Sequence, residues 1–161
     1  TINEYLKNDK NHVFHYFTIE KYPVNNEEIL ELNYAKHFTF ENAQEIYQKI
    51  HELDWNKTHE ILPNFFFTKY NLDFFKTKEI NLPAINLAYY DCFGAKVQPD
   101  LWEKPLFEIV KSKMKDGGLL TTYSSKGSVR RILKELNFEV TKLEGPKGKR
   151  EMINALLKEP S

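Results

Sequence analysis

Short apolar runs that suit buried strands alternate along this chain with segments whose apolar residues recur at helical spacing. We predict strands at His12–Glu20, Asn64–Tyr70, Ala84–Asp91 and Leu119–Tyr123, and helices at Thr1–Lys10, Asn25–Asn33, Glu41–Leu53, Lys104–Lys115 and Ser128–Leu136. Alternation of this kind predicts an α/β fold with a mostly parallel, helix-covered sheet.

The end of the chain breaks this alternation. Phe138–Leu143 and Glu151–Leu157 both have strand character, and only the turn Gly145-Pro146-Lys147-Gly148 separates them. Two strands joined by a short turn pair in antiparallel fashion. The sequence therefore predicts a single domain over residues 1–161, with a Rossmann-like sheet that closes in a C-terminal antiparallel β-hairpin. The pair Gly117-Gly118 is predicted to end the preceding helix.

Composition excludes several classes of protein. The chain is 41% hydrophobic and 14% aromatic, which is typical of a folded domain, and no apolar run is long enough to cross a bilayer. Its single cysteine excludes an internal disulfide and a thiolate-rich metal site. The five histidines form no ligand set, and the first residues show no signal-peptide pattern. We therefore expect a cytoplasmic protein without a metal.

Charge is balanced overall but unevenly distributed. Residues 1–60 carry 6 Lys/Arg against 11 Asp/Glu, whereas residues 111–150 carry 11 Lys/Arg against 4 Asp/Glu. The basic block includes Lys126, Arg130, Arg131, Lys147, Lys149 and Arg150. Such a block indicates either a polyanionic partner or ordinary solvated faces, and charge alone favours the second interpretation.

The stretch Asp91–Trp102 carries the strongest functional signal. Asp91 follows a predicted buried strand, and open α/β sheets hold their ligands at the carboxyl ends of strands. The loop after it contains Pro99 and ends in a large aromatic side chain. This arrangement suits a rigid loop that holds a carboxylate beside a planar substrate. The alternative is that Asp91 caps the loop and has a purely structural role.

Three segments together resemble the methyltransferase domain of the bacterial MnmC and stand-alone MnmD enzymes. They are Ile19-Glu20-Lys21-Tyr22-Pro23, then Asp91–Trp102, then Gly117–Tyr123 with its continuation through Lys126–Arg131 and Gly145–Met152. These enzymes complete 5-methylaminomethyl-(2-thio)uridine at the wobble position of tRNA. Two departures from the family pattern are Gly94-Ala95, where many members have Ala-Pro, and Gln98, where they have Asn. The family's glycine-rich loop and first strand should precede Thr1, so we expect residues 1–161 alone to bind the cofactor poorly or not at all.

The resemblance implies S-adenosylmethionine as the cofactor. Glu20 would accept the ribose hydroxyls, with Lys21 and Tyr22 beside it and Tyr22 as a wall next to the adenine. Asp73 would accept from the adenine amino group, with Asn71 as a competitor for that role. Phe74 would lie beside the cofactor. As side chains, Phe74 and Phe75 both suit the core better than a position that stacks on a ring.

The resemblance makes Asp91 the catalytic residue, also in contact with the cofactor. Methyl transfer needs a neutral nucleophile held in line with the methyl group, and the proposed nucleophile is an amine that is largely ammonium in water. A carboxylate can orient that amine and accept its proton. Phe93 or Trp102 would stack on the base, although Phe93 suits the core and Trp102 could equally anchor the loop. Gln98 would bond to the base or the backbone.

A tRNA anticodon stem-loop would be the macromolecular partner. Tyr123, Ser124 and Lys126 would line its entrance. The basic residues would meet its phosphates, namely Arg130, Arg131, Lys149 and Arg150. A separate or fused FAD-dependent oxidase domain would be a further partner, and no membrane or metal is implied. Two other functions remain open: a nicotinamide-dependent oxidoreductase on a related fold, and a non-catalytic RNA-binding module that lacks the cofactor loop.

Overall fold

The computed structural model of the protein describes residues 1–7, 11–32, 34–38, 40–145 and 151–159. The chain divides into two compact units, Thr1–Phe74 and Phe75–Ser161. Helices and strands alternate through both units, so the predicted α/β class is confirmed.

The α-helices are α1 (Ile2–Lys7), α2 (Asn26–Leu32), α3 (Ala43–Glu52), α4 (Lys104–Lys113) and α5 (Gly127–Glu135). The strands are β1 (Phe14–Glu20), β2 (Thr58–Leu62), β3 (Phe65–Asn71), β4 (Ile85–Tyr89), β5 (Met114–Thr122), β6 (Phe138–Glu144) and β7 (Glu151–Leu157). Single 3-10 turns cover Tyr34–His37, Phe74–Glu79 and Pro99–Trp102.

The first unit contains a three-stranded sheet in the order β1-β3-β2. β1 runs parallel to β3, with Phe14 opposite Phe65 and Glu20 opposite Asn71. Alternation along β3 buries Phe65 and Phe67 on one face, where they join Tyr5 in an apolar cluster. Because the parallel pair ends at Glu20 and Asn71, these two residues meet at the carboxyl edge of this sheet.

Strand β2 is absent from the sequence-based prediction. It pairs in antiparallel fashion with β3, and the hydroxyl oxygens of Thr58 and Thr68 lie 2.8 Å apart across the pair. Of its five residues only Ile61 is buried. The strand therefore lacks the apolar alternation that identifies a strand in a sequence, and its pairing makes the described sheets less parallel than predicted.

Lys69 of β3 fastens the end of α3 to this sheet. Its ammonium lies 2.5 Å from the carbonyl oxygen of His51 and 4.7 Å from the centre of the Trp55 ring. A cation placed at the carboxyl end of a helix interacts favourably with the helix dipole. Desolvation lowers the pKa of Lys69.

The second unit contains a four-stranded sheet in the order β4-β5-β7-β6. β4 and β5 are parallel, whereas β7 is antiparallel to both β5 and β6. The predicted antiparallel pair at the end of the chain is thus observed, and the bounds of β7 match the prediction. The turn predicted at 145–148 lies outside the described residues from Pro146 onward. Helices α4 and α5 contact each other, and α5 also contacts β6.

The pair Gly117-Gly118 does not end α4, which was the sequence-based expectation. The helix ends at Lys113, and β5 already begins at Met114. Gly117 has a φ of 75°, and a Cβ on Gly118 would lie 2.7 Å from the carbonyl oxygen of Lys115. The register between β4 and β5 shifts in the same stretch. The two glycines therefore permit an irregularity within a strand. Such an irregularity and a helix end both favour glycine because it adopts a positive φ without steric cost.

No helix in the described ranges combines the length and apolar character that a membrane crossing requires.

Candidate active site

The carboxyl edge of the first sheet gathers the residues predicted to hold a nucleoside. Glu20 ends β1, is exposed, and accepts a hydrogen bond from the backbone N–H of Tyr22 through Oε1 at 2.8 Å. The side-chain amide of Asn71 donates to the carbonyl oxygens of Glu20 at 2.9 Å and Lys21 at 3.2 Å. Asn71 was predicted as an alternative to Asp73 for binding the adenine. Its side-chain NH₂ group holds the turn after β1.

Lys21 and Asp73 form an ion pair at the same edge, with 2.7 Å between Nζ and Oδ2. The Lys21 ammonium also lies 5.2 Å from the centre of the Tyr22 ring. The hydrogen bond to Asp73, followed by the interaction with Tyr22, raises the pKa of Lys21. The sequence did not predict this pair, because a contact between side chains on two loops leaves no local pattern.

These residues fit the nucleoside part of S-adenosylmethionine in chemical type. Glu20 offers an exposed carboxylate, and the Tyr22 side chain is 68% exposed, so it is accessible to a ligand. Phe74 is half-buried. Phe75, expected in the core, is 36% exposed because it lies in a 3-10 turn on the surface.

The carboxyl edge of the second sheet places Asp91 beside Tyr123. Strands β4 and β5 run parallel with Tyr89 opposite Thr121, so the residues that follow them emerge at the same edge. The backbone N–H of Tyr90 continues the pairing by donating to the Thr121 carbonyl at 2.8 Å. Asp91 is exposed, and within the described part of the chain no hydrogen bond engages its carboxylate.

Three aromatic side chains fasten the loop that follows Asp91. The indole N–H of Trp102 donates to the carbonyl of Phe93 at 2.6 Å, and the Tyr123 hydroxyl donates to the carbonyl of Cys92 at 2.5 Å. The hydroxyl of Tyr90 donates to the carbonyl of Leu101 at the other end of the loop. Sequence reasoning missed Tyr90, although strand alternation puts it on the face opposite Tyr89.

Phe93 and Trp102 differ sharply in burial, and it is Trp102 that occupies the buried environment expected for Phe93. Phe93 is 67% exposed, so its predicted place in the core is wrong. Trp102 is only 5% exposed and its ring contacts Tyr90 and Tyr123 edge-on. Of the two roles left open for Trp102, its burial and its hydrogen bond match the loop anchor. Phe93 is the aromatic side chain of this loop that a base can reach.

The charge of Asp91 influences the groups around it. Desolvation raises the pKa of Tyr123, and the negative charge of Asp91 adds to this rise. Desolvation raises the pKa of the Cys92 thiol to about 11, with Asp91 again contributing. Cys92 is a buried free cysteine beside Asp91. Both hydroxyl and thiol therefore stay protonated at neutral pH.

The other predicted substrate residues lie around this edge with differing exposure. Lys126 and Arg131 are exposed, whereas Arg130 and Gln98 are half-buried. Ser124 is buried, which does not match its predicted position lining an open entrance. The guanidinium groups of both arginines lie near Gly127 at the start of α5. Lys149 and Arg150 lie outside the described residues, as does Lys147.

A cavity of about 320 Å³ in the second unit lies away from Asp91. It is lined by Lys134 of α5, by residues at the start of β6 and by Lys158 directly after β7. Since β7 is antiparallel to β5, this is the opposite edge of the sheet. No three His, Cys, Asp or Glu side chains of the described residues are grouped as metal ligands.

Comparison with known proteins assigns most of the chain to one family. Residues 15–158 match the family of S-adenosyl-L-methionine-dependent methyltransferases. The chain is 40% identical over 76 residues to the tRNA 5-methylaminomethyl-2-thiouridine biosynthesis bifunctional protein MnmC of Psychrobacter sp. (strain PRwf-1), covering 47% of this chain and 10% of that protein. The corresponding protein of Ralstonia nicotianae is 37% identical over 81 residues, covering 48% of this chain and 12% of that protein.

The crystal structure of MnmC2 from Aquifex aeolicus has the same fold. It superposes with a TM-score of 0.69 at 23% sequence identity, over 91% of this chain and 44% of that one. The chain therefore has a Rossmann-like methyltransferase fold. The chain belongs to the S-adenosyl-L-methionine-dependent methyltransferase family, and its predicted resemblance to MnmC is confirmed. Its cofactor is S-adenosylmethionine.

Proposed function

We propose that this chain methylates the amine of 5-aminomethyl-(2-thio)uridine at the wobble position of tRNA, in the cytoplasm. The names of the Psychrobacter and Ralstonia relatives support this substrate. The aligned region spans about a tenth of the length of those relatives, which are described as bifunctional. We therefore also propose that an FAD-dependent oxidase domain, fused or separate, acts together with this one. Family membership favours S-adenosylmethionine over the nicotinamide alternative.

The observation that carries the proposal is the exposed Asp91 carboxylate, two residues before the exposed ring of Phe93. An aminomethyl uridine has a planar base and a basic amine a short distance from it. The base can stack on Phe93, and stacking on an aromatic side chain contributes about 1–3 kcal/mol. The amine then lies within reach of a carboxylate that can orient it and accept the proton it loses.

The cofactor would be held at the edge of the first sheet. Glu20 would accept hydrogen bonds from the ribose hydroxyls, and Tyr22 and Phe74 would lie beside the adenine. Asp73, which is ion-paired with Lys21, would accept a hydrogen bond from the adenine amino group. When bound, S-adenosylmethionine supplies an electrophilic methyl group. Asp91 holds the amine and removes its proton, which leaves the amine neutral and nucleophilic.

A substrate-matched methylation assay tests the proposal. The full-length protein is incubated with S-adenosylmethionine and tRNA that bears 5-aminomethyl uridine, and the digested nucleosides are analysed by mass spectrometry. We expect one methyl group to be added to the modified uridine. The control is the same tRNA with an unmodified wobble uridine, which should gain nothing. Equal methylation of both tRNAs, or of neither, would contradict the assigned substrate, and methylation of neither despite measured tRNA binding would favour a non-catalytic RNA-binding module.

A further inference from the structure

We infer that Tyr123 and Trp102 are positioning residues, which hold Asp91 and Phe93 in place by binding the two carbonyl groups that follow Asp91. The inference rests on the proposed function, since it concerns how that site is kept in its active geometry. Tyr123 was expected to contact the substrate, and Trp102 either to stack on the base or to anchor the loop. Their hydrogen bonds instead go to the main chain of the catalytic loop.

The two hydrogen bonds act on consecutive peptide groups. Tyr123 binds the carbonyl of Cys92 and Trp102 binds the carbonyl of Phe93. A peptide group is planar, so fixing the direction of its carbonyl fixes the plane. The two fixed planes lie on either side of the Phe93 Cα, and they determine the direction in which its side chain leaves the backbone.

Asp91 is restrained from both sides. On its amino side, the N–H of Tyr90 is bound to the Thr121 carbonyl of β5. On its carboxyl side, the next residue, Cys92, is buried and its carbonyl is held by Tyr123. The carboxylate itself stays exposed. The backbone at Asp91 is therefore held by partners on β5 and directly after β5, while its side chain remains available to a substrate.

The two anchors support each other and leave the tip of the loop open. The rings of Trp102 and Tyr123 meet edge-on with 5.7 Å between their centres. Beyond Phe93 the backbone turns, with the N–H groups of Val97 and Gln98 both donating to the Gly94 carbonyl. A hydroxyl has a single hydrogen to donate, and that of Tyr123 is engaged. Toward a substrate, the Tyr123 hydroxyl can therefore only accept a hydrogen bond.

The test is Tyr123→Phe in the full-length protein, which keeps the ring against Trp102 and removes only the hydroxyl. A small displacement of a reacting group costs up to about 100-fold in rate. We expect kcat to fall about 10- to 100-fold while the KM for S-adenosylmethionine stays within about 2-fold. Hydrogen exchange at the amides of residues 92–98 should become faster. Tyr89→Phe is the matched control, because Tyr89 is an exposed tyrosine of β4, and it should change none of these values.

The outcomes separate this inference from the proposed function. Parental kcat in Tyr123→Phe would overturn the inference, as would a fall in kcat matched by a rise in the cofactor KM. If the parent protein does not methylate aminomethyl uridine, the proposed function fails, and hydrogen exchange alone then decides the inference. Faster exchange confined to residues 92–98 would support it, and exchange equal to that of the parent would overturn it.

Discussion

Replacing Trp102 and Phe93 by alanine, one at a time, separates the anchor of the catalytic loop from its exposed aromatic residue. Trp102 is 5% exposed, contacts two aromatic rings and donates to the Phe93 carbonyl. Truncating a buried tryptophan costs about 3–5 kcal/mol, a range that includes its lost hydrogen bond. Phe93 is 67% exposed, so Phe93→Ala should change the free energy of unfolding by no more than about 0.5 kcal/mol.

Circular dichroism during thermal and urea unfolding measures both changes. For a chain of this length, 1 kcal/mol corresponds to a shift in Tm of about 2–4 °C, so Trp102→Ala should lower Tm by about 6–20 °C. Phe93→Ala should unfold like the parent but lose substrate affinity, because its ring is proposed to stack on the base. Equal destabilisation by the two variants would refute the reasoning, as would a folded Phe93→Ala that binds tRNA as tightly as the parent.

Two further predictions concern charge. Partial burial, with a smaller contribution from Lys69, lowers the pKa of His51 below its usual 6.5. The unfolded chain therefore binds a proton near pH 6.5 that the folded chain does not bind, and stability falls as the pH drops through and below that value. In urea titrations, the free energy of unfolding of His51→Gln should fall less between pH 7 and pH 5 than that of the parent. The variant His37→Gln, at an exposed position, should behave like the parent. In the second prediction, replacing Arg130 and Arg131 by alanine should weaken tRNA binding and flatten its dependence on salt, by up to about one unit of slope per lost phosphate contact. The exposed Lys36→Ala should leave that slope unchanged, and an unchanged slope in the double variant would remove the arginines from the RNA surface.

Hydrophobic periodicity was sufficient for the elements that carry a full apolar pattern. The bounds of β7 follow from the sequence, and β1 and β3 differ from their predicted ranges by one or two residues. Strand β2 was missed because only one of its five residues is buried and because it depends on β3 for its conformation. The glycine pair at 117–118 was placed at a helix end because a left-handed φ serves a bulge and a helix end equally well.

The site was predictable only where position along a strand determines it. The positions of Glu20 and Asp91, each at the carboxyl end of a strand in its own sheet, follow from the rule that open α/β sheets hold their ligands at the carboxyl ends of strands. The roles of Phe93 and Trp102 do not follow, because composition indicates that both are large and apolar but not which one finds a main-chain carbonyl. The Lys21–Asp73 pair was likewise out of reach, since it joins residues far apart in sequence through the pairing of β1 with β3.

Single-turnover methylation of aminomethyl uridine tRNA by Asp91→Ala and Asp91→Asn tests the central claim most directly. General base catalysis contributes about 10²–10⁴-fold, so both variants should lose about that factor while their affinity for S-adenosylmethionine stays near that of the parent. Asp91→Asn keeps the size of the side chain and one oxygen acceptor, so it separates loss of charge from loss of packing. A rate like that of the parent in both variants would contradict the role of the Asp91 carboxylate.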